Sequence, residues 1–287
     1  MQKQKLILWG NCQADFLSTV LRQSEDLMAR FEIKYYSNFS TPGVFDYESC
    51  STTELQSCDV LIYHRVFTPA FVEAATERLA YLPARCLRIP LPYLKNNLYW
   101  PFFNTVATPI GVTTEFPNGR LPYRSHIIDS WIQKGLSDEA IVEAFSALDP
   151  AEHLDMDLLE RDTYERWRSL EAGAEGKLKF ASFLMQNWRG NMLFYIYNHV
   201  SRPILLHLAN QILAQLDAPE LSLRDIAKCE SGQNITYAVH PGAARYYGIS
   251  FAKEGSRYSL AGKHYTFPDF IRFYLSVART EPPVLLV

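Results

Sequence analysis

The chain has 287 residues, 48% hydrophobic and 21% charged, with a formal net charge of −3. That composition supports a sizeable core and excludes an intrinsically disordered chain. Acids and bases are mixed along the sequence, without the clustered positive charge a nucleic-acid partner demands, and no apolar run is long enough to span a bilayer.

Cysteine usage adds to this. The five cysteines (Cys12, Cys50, Cys58, Cys86 and Cys229) are an odd number and form no Cys-x-x-Cys pair. Reduced thiols, no metal site and a cytoplasmic location are expected. The apolar run Leu6–Trp9 is too short for a signal-peptide core.

The N-terminal segment alternates strand and helix signals. Lys5–Trp9 predicts a buried strand, and Gln13–Gln23 a helix from the spacing of Phe16, Leu17, Val20 and Leu21. Phe31–Tyr36, Cys58–Tyr63 and Arg85–Ile89 predict further strands, with a helix over Pro69–Tyr81 between the last two. This order implies a parallel sheet with both faces covered. Pro90–Pro122 is a proline- and aromatic-rich loop. Helices are then expected over Ser125–Lys134, Asp138–Leu148, Asp155–Leu170 and Lys177–Trp188. Met192–Tyr197 is a short β-rich run before a helix opened by Pro203 and running through Leu216. A hairpin at Tyr258–Tyr265 and a helix over Phe267–Ala278 close the chain. With no repeat or linker, the expectation is one domain, with a sheet part over residues 1–122 and a mainly helical part over 123–287.

The most informative stretch is Gly10-Asn11-Cys12-Gln13. A thiol where a strand gives way to a helix meets unpaired backbone N–H groups and the positive end of the macrodipole, which lowers its pKa. Gly10 is expected to permit the turn. Asn11 and Gln13 add amide donors for an oxyanion. A cysteine nucleophile needs a base. His64 ends a predicted strand at the same sheet edge, and His199 sits in a turn before a helix. Arg65, Lys95, Arg124, Arg189 and Arg202 are the basic residues near that edge, Arg202 lying at a helix start where anions are favoured. Tyr93, Tyr99 and Trp100 could stack on a ligand. No Walker, dinucleotide, Gly-x-Ser-x-Gly or His-Glu-x-x-His motif is present.

Gly10-Asn11-Cys12-Gln13 resembles the start of the WcbI-type polysaccharide-biosynthesis proteins. The similarity extends through Ile89-Pro90-Leu91-Pro92-Tyr93, Tyr123-Arg124-Ser125-His126, Gly135–Glu139 and Tyr197-Asn198-His199 with Pro203, and His240-Pro241 and Tyr258 complete it. In place of the family's Asn-His-Pro-Thr turn, this chain has Val200-Ser201-Arg202 after Asn198-His199. The resemblance implies an α/β fold, a small parallel sheet (Rossmann/SGNH-like) with a large helical elaboration. It also implies an acetyl-coenzyme A-dependent O-acetyltransferase acting on a bacterial capsular or surface polysaccharide sugar, without a metal. Cys12 and His199 would be its catalytic groups, with His64 as the other candidate base. Arg65, Tyr93, Lys95, Asn198 and Arg202 would contact the coenzyme. The alternatives are a carbohydrate esterase using the same oxyanion donors, and a non-catalytic sugar- or nucleotide-binding module.

Overall fold

The computed structural model describes residues 2–37, 50–64, 77–104, 121, 123–229, 235–260 and 262–280. They form two compact units, each assembled from separate stretches of chain. The first comprises Met1–Leu94, Arg166–Met185 and Asn198–Ser231; the second comprises Lys95–Glu165, Gln186–Tyr197 and Gly232–Val287.

The first unit is built on a four-stranded parallel sheet: β1 (Gln4–Gly10), β2 (Phe31–Ser37), β3 (Val60–His64) and β4 (Leu87–Leu91), in the order β2-β1-β3-β4. Burial on both faces explains the unbroken apolar run Leu6-Ile7-Leu8-Trp9, all of it buried. On one face Ile7, Trp9 and Leu61 pack with Leu55, Leu82 and the thiols of Cys50, Cys58 and Cys86. Helix α1 (Cys12–Leu21) covers the other face, with Ala14 set against Gly10. Pro90 lies within β4, where its missing N–H is tolerated because β4 is an edge strand.

Two short helices escaped the sequence pattern. They are α2 (Glu25–Arg30) and α3 (Thr52–Gln56), whose first turns are capped by Ser24 and Ser51. Most of the helix expected over Pro69–Tyr81 lies outside the described residues.

In the second unit, β5 (Phe103–Asn104) pairs antiparallel with β6 (Arg124–Ser125), followed by α4 (His126–Gln133) and α5 (Asp138–Ala147). Two helices have residues in both units, α6 (Met156–Gly173) and α7 (Ala181–Asn187). After β7 (Phe194–Ile196) of the second unit come β8 (His199–Val200) and α8 (Arg202–Gln215) of the first. The second unit ends with α9 (Pro241–Tyr247), the expected hairpin of β9 (Tyr258–Leu260) and β10 (Lys263–Tyr265), and α10 (Phe267–Ala278).

The described part of the aromatic loop after β4, up to Asn104, is core rather than an open platform, and most of the rest lies outside the described residues. Tyr99 and Trp100 are buried in the second unit, where Tyr99 Oη donates to the Trp188 carbonyl (2.6 Å) and Trp100 Nε1 to that of Ala238 (3.1 Å). Neither ring is exposed for stacking on a ligand, because the loop's apolar side chains fill that unit's interior. None of the described helices is long and apolar enough to cross a membrane.

Candidate functional site

Ligands of parallel α/β sheets bind beyond the carboxyl ends of the strands. In the first unit that edge carries Gly10 at the end of β1, Asn11 and Cys12 after it, His64 at the end of β3, and Pro92–Leu94 after β4. Asn11 is the N-cap of α1, and its Oδ1 accepts the Gln13 N–H (3.0 Å). Cys12 is therefore the first helical residue. It is the one cysteine of the five that is not fully buried.

His64 pins this turn. The Asn11 N–H donates to its Nδ1 (3.2 Å), so the proton sits on Nε2, which donates to the Pro92 carbonyl (3.3 Å). Burial pushes the imidazole down to about 4 despite the Pro92 hydrogen bond. The ring is neutral at physiological pH, with both nitrogens committed to backbone. The glycine before it serves this contact. A Cβ on Gly10 would lie 2.4 Å from His64 Nδ1 and 2.5 Å from the Ala14 Cβ. Gly10 is required for close approach, and it is not among the left-handed residues.

Gln13 is a second clamp. Its Nε2 donates to the carbonyls of Leu94 and Asn198 (2.7 Å each), and its Oε1 accepts the Leu94 N–H (3.0 Å). Both amide hydrogens are thus used, which corrects the expectation of Gln13 as an oxyanion donor. Asn198 in turn donates from Nδ2 to the Tyr93 hydroxyl (2.8 Å), and the Tyr93 ring meets His64 edge-on at 6.0 Å. Gripping Asn198 holds the next residue, His199, close to α1. Its imidazole packs edge-on against Phe16, 5.6 Å between centroids. Phe16 lies one helical turn from Cys12 on the same face of α1. It is the platform that sequence reading missed, although its spacing from Cys12 was visible.

The electrostatics of Cys12 differ from expectation. The amides of Gln13 and Cys12 do favour the thiolate, but desolvation is larger. Burial, with a contribution from the Asp15 carboxylate, pushes the thiol up to about 12. The amides at the helix terminus lower the thiol as expected, and the protein packed around the sulfur outweighs them.

The basic residues separate. Arg202 opens α8 and donates from Nε and Nη2 to the Cys229 carbonyl (3.2 and 3.0 Å). Lys95 belongs to the second unit, its ammonium 5.6 Å from the centre of the Tyr197 ring. Arg124 is buried in a bidentate pair with Asp129, and Arg189 pairs with Glu160. Arg65 lies outside the described residues. Beside Tyr93, a cleft of about 240 Å³ is walled by Pro90–Tyr93 and by Ser169, Leu170, Gly173 and Ala174. Among the described residues no group of three or more His, Cys, Asp or Glu is placed to hold a metal ion.

A family model described as the polysaccharide biosynthesis enzyme WcbI matches residues 5–221. The chain belongs to this family of polysaccharide biosynthesis enzymes. A solved structure of WcbI, a native form without a disulfide bond between coenzyme A and one of its cysteines, shares the fold. It is 16% identical with a TM-score of 0.67, over 98% of this chain and 96% of that one. A periplasmic metal-binding protein from Candidatus Liberibacter asiaticus aligns at 15% identity over 96% of this chain and 97% of its own, with a TM-score of 0.23. No curated protein matches. The WcbI match contains the whole Cys12–His64–Asn198–His199 constellation, whereas His240-Pro241 and Tyr258 lie beyond its end.

Proposed function

We propose that this polysaccharide biosynthesis enzyme is a coenzyme A-dependent O-acetyltransferase that acylates a sugar hydroxyl of a capsular or surface polysaccharide. The observation that carries the reading is the Gln13–Asn198 clamp, which sets His199 against the α1 face that begins at Cys12. The WcbI neighbour supports it, since a disulfide between its coenzyme and a cysteine is at issue in that protein. Acetyl-coenzyme A, as substrate, supplies the acyl group as a thioester.

The residues present fit such a substrate. The apolar cleft beside Tyr93 suits an uncharged thioester arm. Arg202, at the first turn of α8, has no partner for Nη1 among the described residues, and that nitrogen would meet a phosphate near a helix N-terminus. His199 is the base, because the ring nitrogens of His64 already serve backbone groups. A base is needed in either of two routes, for the sugar hydroxyl in both and in the first also for the Cys12 thiol, which is protonated at neutral pH. In one, His199 accepts the Cys12 proton as Sγ attacks the thioester carbonyl. The proton then passes to the departing thiolate, and the acyl group rests on Cys12 until a sugar hydroxyl, deprotonated by His199, displaces Sγ, to which His199 returns the proton. In the other, His199 takes the proton of the sugar hydroxyl directly and returns it to the leaving thiolate. The Asn11 side-chain N–H groups and the Cys12 backbone N–H stabilise the oxyanion, since the next amides of α1 already donate to Asn11.

The test is incubation with acetyl-coenzyme A, followed by thermal melting and intact-mass measurement. Stabilisation is expected, and an acetyl adduct absent from Cys12→Ala selects the first route. His199→Ala should lose transfer by about 10²–10⁴-fold while retaining the thermal shift. No stabilisation at millimolar ligand overturns the reading.

A further inference from the structure

A sizeable cavity lies in the second unit. It measures about 680 Å³, within the range of small-molecule sites. The end of α5, α9, the loop to β9 and the first turn of α10 enclose it, and of its lining only Ser146 lies inside the family match. The loop turns through two left-handed glycines, Gly248 (φ 66°) and Gly255 (φ 77°). A capping box between Thr266 and Asp269 fixes the first turn of α10. The walls are thus tied down by backbone geometry on two sides.

Its chemistry is mixed in a specific way. Tyr258 and Phe267 present largely buried aromatic surface, while Arg245, Lys253 and Glu254 are exposed at its edge. Among the described residues, Arg245 and Lys253 make no ion pair. By contrast Arg124, Arg189, Arg272 and Arg279 of the same unit each hold a carboxylate. The cavity therefore carries two uncommitted cations against one carboxylate. The Ser146 hydroxyl, shielded from solvent, has no hydrogen-bond partner among the described residues. A buried hydroxyl without a partner is costly unless a ligand supplies one.

We propose that this cavity binds a sugar phosphate. Arg245 and Lys253 hold the phosphate through charge-assisted hydrogen bonds. The rings of Phe267 and Tyr258 give the apolar surface on which a pyranose face rests, and Ser146 and Glu254 take ring hydroxyls. The assignment uses no residue of the proposed acyl-transfer site and stands or falls apart from it.

Calorimetric titration of the full chain, without coenzyme A, tests it. The probes are α-D-glucose 1-phosphate and α-D-mannose 1-phosphate, with the free sugars and inorganic phosphate as controls. At least one sugar phosphate should bind saturably, on the order of tenfold more tightly than its parent sugar and than inorganic phosphate. The Arg245→Ala/Lys253→Ala double variant, altered at exposed positions, should erase that preference. Ala252→Trp, which fills the cavity from its loop, should abolish binding, and His199→Ala should leave binding unchanged. Absence of saturable binding up to about 10 mM overturns the proposal. So does inorganic phosphate binding as tightly as the sugar phosphates, or a preference that survives in the double variant.

Discussion

His64 in the first unit and His240 in the second are held alike. Each accepts a backbone N–H at Nδ1, from Asn11 (3.2 Å) and Gly242 (3.1 Å) respectively. Each directs Nε2 at a carbonyl, of Pro92 (3.3 Å) and Phe145 (3.1 Å). Each stands by a glycine that has no room for a side chain. They differ in what the pinned backbone carries. His64 fixes the turn that presents Cys12, whereas His240 caps α9, one wall of the second unit's cavity. A buried histidine with both nitrogens bonded to backbone is therefore a poor guide to catalysis by itself, since the same hydrogen bonding serves as scaffold in both places. His199 differs from both, its ring packed against Phe16 on the α1 face that begins at Cys12.

The largest effect expected from this likeness is on acid stability. Burial pushes both imidazoles from the ordinary 6.5 down to about 4. The unfolded chain binds these protons first as pH falls. The stabilisation is thus complete above pH 6.5 and is lost between 6.5 and about 4. That range corresponds to about 3 kcal/mol for each histidine. Urea midpoints at pH 7.5, 6 and 5 should fall steeply for the native sequence. The fall should be shallower, by up to one proton, in His64→Gln and in His240→Gln. An unchanged slope in one of them breaks the comparison at that residue.

Next come the glycines. Gly10→Ala would press a methyl group on the His64 ring and on Ala14, and Gly242→Ala on the Pro150 ring at 2.3 Å. Each should cost about 3 kcal/mol in chemical denaturation, the upper range of overpacking. Gly255, left-handed with open space around it, should lose only about 1 kcal/mol on change to alanine. If Gly10→Ala behaves like Gly255→Ala, the His64 pin yields more than its geometry indicates.

What could be read from the chain follows from the range of each interaction. The strand–turn–helix at Leu6–Leu21, the parallel strands and the hairpin at Tyr258–Tyr265 rest on local pattern, and they form. The position of His64 against Gly10 depends on the register between β1 and β3, which no local pattern records. In the sequence Gly10 reads as a conformational requirement, because the turn is a local pattern and its tertiary neighbour is not. Gln13 looked like a free amide for the same reason, since its partners Leu94 and Asn198 are 81 and 185 residues away. Arg124 was the more avoidable misreading, because its partner Asp129 is only five residues on.

The smallest expected effect compares two helix caps in the first unit. Asn11 caps α1 with its side chain, whereas Ser201, at the same position of α8, makes no side-chain cap hydrogen bond. Asn11→Ala should cost about 1 kcal/mol and Ser201→Ala less than that. The first substitution has a second consequence. The Gln13 N–H now shared with Asn11 Oδ1 is the largest of the influences that favour the Cys12 thiolate. Relieved of Asn11, that amide turns more fully to the sulfur, so Cys12 should be alkylated by iodoacetamide faster in a less stable protein. Asp15→Asn should act in the same direction by removing a carboxylate that opposes the thiolate. Alkylation that slows in both variants would mean that solvent access, rather than the charge balance at the start of α1, governs this thiol.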